Sequence, residues 1–185
     1  MLKLKSGNIL IAEPFMRDSN FRRSVICLCE HSTEEGSLGF ILNKPINMKV
    51  TDLIQDLPTD KDFFVRYGGP VATNTIHYIH SIGDLLEDSV EIMKGVYWGG
   101  DFEKLKFLIE SGLVTPQNIR FYIGYSGWSP GQLDEEMEYG SWVSGDLYPN
   151  YVFKTKAKNL WKQALTNKGD TYTVIAQMPK GISLN

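Results

Sequence analysis

Cysteine and histidine are scarce in this chain: two and three respectively among 185 residues. The two cysteines, Cys27 and Cys29, stand two apart on an expected strand, so both side chains point to one face. A disulfide closing so short a loop would be strained, and the thiols are read as reduced. Long apolar runs are missing as well. In the N-terminal stretch MLKLKSGNILIAEPF the apolar run is confined to residues 9–12, whereas a membrane span needs about 20 apolar residues and a secretory signal needs a longer apolar core. Positive charge is also in deficit: the net charge is -3 and the pI about 5.6. Proteins that coat nucleic acid or anionic membrane carry a basic face that would skew that total. A cytoplasmic protein without a membrane segment is expected, and direct nucleic-acid binding is not.

Hydrophobic residues make up 42% of the chain and charged ones 22%, ordinary values for a globular fold with one sizeable core. No repeat, low-complexity tract or linker interrupts it. One domain over residues 1–185 is expected, with room for two lobes. Short apolar runs between glycine turns predict strands at Asn8–Ala12 and over 24–30, 38–42, 63–67, 75–82, 89–93 and 119–125. The polar turn HSTEEGS predicts a hairpin between the second and third of these. Asn43-Lys44-Pro45 should end the third, because proline cannot donate to the ladder. Helices are predicted over 51–57, capped by Thr51, and after Asp101, where Phe102, Leu105, Leu108 and Ile109 form one stripe that Gly112 stops. Ala157, Leu160, Trp161, Ala164 and Leu165 define a third, and residues 171–176 read as a last strand. Strands dominate the first half and helices come late, a pattern of α+β rather than regular βαβ alternation.

The stretch closest to chemistry is IGYSGWSPGQLDEEME, residues 123–138. Its G-Y-S-G invites comparison with the turn that presents a hydrolase serine. That turn is G-x-S-x-G, because only small residues fit beside the strained nucleophile, and here the fifth position is Trp128. A serine also needs a base, and His31, His77 and His80 all precede Ser126. The residues fit a turn and a capping box better: Ser129 as N-cap, Pro130 at the first helical position, Gln132 reaching back. Asp134, Glu135 and Glu136 would favour the positive end of that helix, and Leu133 and Met137 would supply its buried side.

GYSGWSPGQLDEE resembles the G-Y-x-G-W-x-x-G-Q-L-E-x-E signature of the AlgH/YqgE proteins. The resemblance extends through GNILIAEPFMRDSNFRRSVICLCEH, GSLGFILNKP, GGPV and the tryptophan-bearing C-terminal helix, in the family's order. It departs at Asp134, where the family more often has glutamate, and at Cys27, where an apolar or aromatic residue is expected. It implies an α+β protein whose mixed, branched β-sheet curls into a pseudo-barrel with flanking helices. It carries no enzymatic activity across. The family is sometimes labelled a transcriptional regulator, yet no helix-turn-helix with a basic recognition helix is present here.

Other constellations have plainer readings. In CLCEH, residues 27, 29 and 31 share a strand face, but neighbours there lie about 7 Å apart at the backbone, too far for the ~2.3 Å bonds of a tetrahedral zinc–thiolate site. No fourth ligand is evident, so core packing is expected, with no metal and no cofactor. His77 and His80, three apart on a strand, point to opposite faces. Trp98-Gly99-Gly100-Asp101-Phe102 has a partial likeness to a cyclase signature, but a glycine turn into an Asp101 cap accounts for all five. These considerations point to a non-catalytic binding or regulatory protein, its surface centred on Tyr125, Trp128, Gln132 and Glu135, with an unknown protein partner. The alternative is an enzyme that holds a small anionic ligand between the Arg22/Arg23 and Gly68/Gly69 loops, through guanidinium forks and exposed turn amides.

Overall fold

Both faces of the first strands are buried, which is why they read as unbroken apolar runs. In the computed structural model, which describes residues 3–178, β1 (Asn8–Ala12) and β2 (Val25–Ser32) send alternate side chains into two cores. Ile9, Ile11, Val25 and Cys27 enter one, while Leu10, Ala12, Ile26 and Leu28 enter the other. Such two-sided burial removes the polar alternation of a half-exposed strand. β3 (Gly36–Ile41) completes the hairpin predicted from the HSTEEGS turn. β4 (Pro45–Lys49), β5 (Phe64–Tyr67), β6 (Val71–His80), β7 (Val90–Met93) and β8 (Val96–Trp98) follow. Then come α1 (Phe102–Glu110), β9 (Ile119–Trp128), α2 (Gln132–Glu138), β10 (Trp142–Asp146), α3 (Pro149–Phe153), α4 (Ala157–Thr166) and α5 (Asp170–Ala176).

The strands form one mixed sheet in the order β10-β1-β2-β3-β9-β6-β8-β7, and β9 is its branch point. Besides β3 and β6, β9 takes β5 in the sheet's parallel ladder (Val65 opposite Phe121, Arg66 opposite Tyr122), and β4 pairs with β5. The sheet therefore has the expected branching. Its curl draws the distant β7–β8 hairpin toward β1: Ile92 and Val96 share a core with Ile9 and Ile11. A Cβ on Gly7 would lie 2.9 Å from the Ile92 carbonyl. No ladder joins β7 to β10 among the described residues, so the expected pseudo-barrel is corrected to an open, curled sheet.

Three cores divide the molecule. α3, α4 and α5 lay Tyr151, Leu160, Trp161, Leu165 and Ala176 on the first. α1 packs Leu105, Leu108 and Ile109 against Val65, Tyr78 and Phe121 in the second. α2 covers the third, with Leu133 and Met137 beside Ile26, Trp128 and Trp142. The α1 cap forms as read: Asp101 Oδ1 accepts from the Lys104 amide at 2.6 Å.

Two elements differ from expectation. The helix over 51–57 shrinks to a 3₁₀ turn at Val50–Asp52, because the Val50 amide is held by Phe63 O and the Asp52 carboxylate takes the Lys49 amide instead. Residues 171–176 are helical, not extended. Their β-branched residues favour strands, but α5 finds its packing on α4, where Tyr172 and Ala176 meet the first core. No described helix is long and apolar enough to cross a membrane.

Candidate functional site

β9 runs three residues beyond its expected end, so GYSGW is strand rather than turn. Ser126 lies opposite Gly39, fully buried, and its hydroxyl donates to Gly68 O at 3.0 Å. That hydrogen bond and burial leave it no path to a substrate. Ser129 does not cap α2: the cap position is Gly131, with φ 75°, and no side chain accepts there. Half of the expected box survives, as Gln132 Oε1 accepts the Ser129 amide at 3.0 Å. Of the two serines, the buried Ser126 is the one whose hydroxyl is used. Ser126→Ala should cost about 1 kcal/mol, the net worth of the lost hydrogen bond, since Gly68 O keeps the Ile41 amide, and Ser129→Ala less than about 0.5 kcal/mol. Urea unfolding of both variants tests this, and a larger loss for Ser129→Ala would refute it.

Glu136 organises the start of the strand–helix unit. Its Oε2 accepts from both indoles, Trp128 Nε1 at 3.0 Å and Trp142 Nε1 at 2.8 Å, and its Oε1 accepts from Gln132 Nε2 at 3.0 Å. The two rings meet edge-on, centroids 6.1 Å apart. Trp128 is 7% exposed, so most of this aromatic residue is core. Sequence reading missed Glu136 and Trp142. The signal was the carboxylate eight residues after one tryptophan and six before the next.

Above this unit lies an open groove of about 850 Å³ across the ends of β2, β3 and β9, with Val90 and Glu91 of β7 lining it too. Tyr125 and Trp128 line it, together with Glu30, His31 and Glu35. The Tyr125 ring is steered by an edge-on contact with His77, centroids 5.9 Å apart. A bulge opposite Leu38 turns the end of β2, placing Cys29 at the groove floor and Glu30 and His31 on its wall. His31 Nδ1 shares a 2.8 Å hydrogen bond with Ser37 Oγ across the hairpin. Among the described residues, no lysine or arginine lines it.

The other candidates are not brought there. Gln132 is spent on the Glu136 cluster, and Glu135 stands exposed on α2. Arg22 is exposed, whereas Arg23 turns inward, its guanidinium 4.6 Å from the Trp161 ring centroid and its Nη2 donating to Met178 O at 2.8 Å. The Gly68 amide is not a free anion donor, since it donates to Ile123 O at 2.9 Å. Gly68 and Gly69 are there for close approach: a Cβ on either would fall 2.3 Å from the backbone of β9. The anion cradle expected from these two loops is therefore not assembled.

Cys27 and Cys29 are free thiols in the first core. Burial, followed by its bond to Cys27, pushes the Cys29 thiol well up, so it stays protonated. His77 and His80 face opposite cores as expected. His80 bridges Gly99 O at 2.8 Å and the Ile82 amide at 3.3 Å, and burial holds its pKa down. Among the described residues no group of three or more His, Cys, Asp or Glu is placed to hold a metal.

The model of a family described as AlgH-like matches residues 9–173. The chain belongs to the AlgH-like family. A UPF0301 protein of Chlorobium chlorochromatii is 43% identical over 183 residues, covering 99% of this chain and 96% of that protein. One from Cytophaga hutchinsonii is 39% identical, covering 98% and 100%. The AlgH-like fold recurs in the solution structure of AlgH from Pseudomonas aeruginosa, with a TM-score of 0.73 at 23% identity, covering 98% of this chain and all of that one. A crystal structure from Corynebacterium diphtheriae gives a TM-score of 0.78 at 22% identity, covering 95% and 93%. At such identities the two structures speak for the fold. The AlgH-like signature itself now has a physical reading: its Trp, Gln and final Glu are Trp128, Gln132 and Glu136, the hydrogen-bonded joint between β9 and α2.

Proposed function

We propose that this AlgH-like chain acts by binding, in the cytoplasm, and that the groove over β2, β3 and β9 recognises a lysine- or arginine-rich peptide segment of a partner protein. One observation carries the reading: Glu30, Glu35 and Glu91 line the groove together with Tyr125 and Leu38, and among the described residues no lysine or arginine lines it. The carboxylates attract and orient a cationic segment, and Tyr125 and Leu38 accept its aliphatic stems. The groove is open along its length, which suits an extended chain better than an enclosed small molecule. The buried, hydrogen-bonded Ser126 and the protonated, buried Cys29 support binding over nucleophilic catalysis.

The test is fluorescence anisotropy with two labelled peptides of equal length, one lysine-rich and one glutamate-rich. The lysine-rich peptide should bind, and more weakly as salt is raised. Reversing Glu35 and Glu91 together to lysine should weaken it about tenfold, or 1.4 kcal/mol. Equal binding of both peptides, or indifference to the double reversal, would overturn the proposal.

A further inference from the structure

A second polar cluster lies at the opposite end of β9, away from the groove. Arg66 on β5 stands opposite Tyr122 on β9, and Arg120, two residues along β9, shares the same face. Two guanidinium groups are thus set side by side on one surface of the sheet. Both are half-buried, and neither belongs to the ion pairs formed among the described residues, which join Lys49 to Asp62 and Lys106 to Glu103. Unpaired, partly desolvated like charges repel, and natural folds usually place a carboxylate between them.

The donors make the case sharper. Arg120 gives three hydrogen bonds to carbonyls, at Pro116, Ile119 and Phe153, yet its Nε is buried with no partner among the described residues. Arg66 gives one, to Leu42 O at 2.9 Å, of the five that a guanidinium offers. The Tyr122 hydroxyl is likewise buried without a partner, in a side chain with no solvent exposure at all. Burial pushes the Tyr122 phenol up, against the opposing pull of both arginines, so it remains an O–H donor. Arg66, Arg120 and Tyr122 thus share one face of β5 and β9, where the Arg120 Nε–H and the Tyr122 O–H have no acceptor among the described residues and the Arg66 fork is only partly used.

We infer that Arg66, Arg120 and Tyr122 form a binding site for a small oxyanion, a carboxylate or a phosphate group. Such a group brings the negative charge and lone pairs this face lacks: the Arg120 Nε–H and the Arg66 fork donate to its oxygens, and the Tyr122 O–H adds a neutral donor. Phe153, whose ring centroid lies 5.8 Å from the Arg120 guanidinium, stands against one side of the pair. The site is independent of the groove, and either can fail without the other.

The experiment is an NMR titration of the ¹⁵N-labelled full chain, reading the arginine Nε–H signals. Sodium phosphate and sodium acetate are the two arms, with sodium chloride at matched ionic strength as control. The Arg120 Nε–H should shift saturably with a millimolar Kd in one arm, and the tighter arm names the group. Arg66→Gln should weaken binding about tenfold, and Tyr122→Phe, which removes only the hydroxyl and preserves the packing, about threefold. Shifts matched by chloride, the absence of saturation in both arms, or Kd values unchanged in Tyr122→Phe would overturn the inference.

Discussion

Gly69→Ala is expected to destabilise the protein on the order of 4 kcal/mol, a large share of the ~5–15 kcal/mol that holds a typical domain folded. Gly69 closes the turn between β5 and β6 at φ 153°, a backbone region that L side chains rarely enter. Its missing side chain is also where β9 passes: a Cβ would lie 2.3 Å from the Tyr125 carbonyl and 2.4 Å from the Ser126 amide. These are main-chain atoms of the branch-point strand, so relief requires moving the turn off β9. That movement would also take Gly68 O away from the Ser126 hydroxyl and the Ile41 amide, both of which it accepts. Gly131→Ala is the matched control. It too has positive φ, 75°, but nothing stands within 4 Å of its added carbon, and the loss should be about 1 kcal/mol. Urea midpoints of the two variants decide the point, and equal losses would show that contact with β9 is not what Gly69 protects.

Glu136→Ala should cost about 3 kcal/mol. It removes one carboxylate and strands two indole N–H groups, each partly or wholly inside the third core, at roughly 1–3 kcal/mol for a buried donor left unmade. The cost is shared, because once the carboxylate is gone the Trp128 and Trp142 rings must both find new partners. Glu135→Ala, one residue away but exposed, should stay within about 0.5 kcal/mol. Thermal unfolding followed by tryptophan fluorescence reports both the stability and the wetting of the indoles. If the two variants unfold alike, the joint between β9 and α2 contributes nothing beyond packing.

These two residues also show what the sequence could convey. β1, β2, β3, β5, α1 and α4 were legible because each carries its own signal, a bounded apolar run or a capped stripe. β4, β8 and β10 were not. They are only three to five residues long, and β10 pairs, among the described residues, with β1 at the other end of the chain. α5 was misread because propensity favours extended structure for Thr-Tyr-Thr-Val-Ile, while packing on α4 decides the outcome. At the candidate site, Tyr125 and Trp128 were recognised as aromatic residues near a turn. Their company was not: Glu30, Glu35 and Glu91 come from β2, the hairpin turn and β7, and only the curl of the sheet gathers them. The arginine pair escaped for a like reason. Arg66 and Arg120 meet only through the parallel β5–β9 ladder, which no local pattern announces.

The pairing of β1 with β10 has a consequence for how the chain is made. Asn8 lies opposite Asp146 and Ala12 opposite Trp142, so β1 leaves the ribosome about 130 residues before the strand that covers its edge. At bacterial elongation rates that interval is on the order of 10 s. Throughout it the β1–β2–β3 meander is available with an open, strongly apolar edge, the kind of edge that templates association between nascent chains. A trigger for completion arrives only with residues 142–146, and α4, which seals the same strands from the other side, follows directly behind. The emerging polypeptide should therefore be a client of ribosome-associated chaperones until residues 142–146 appear.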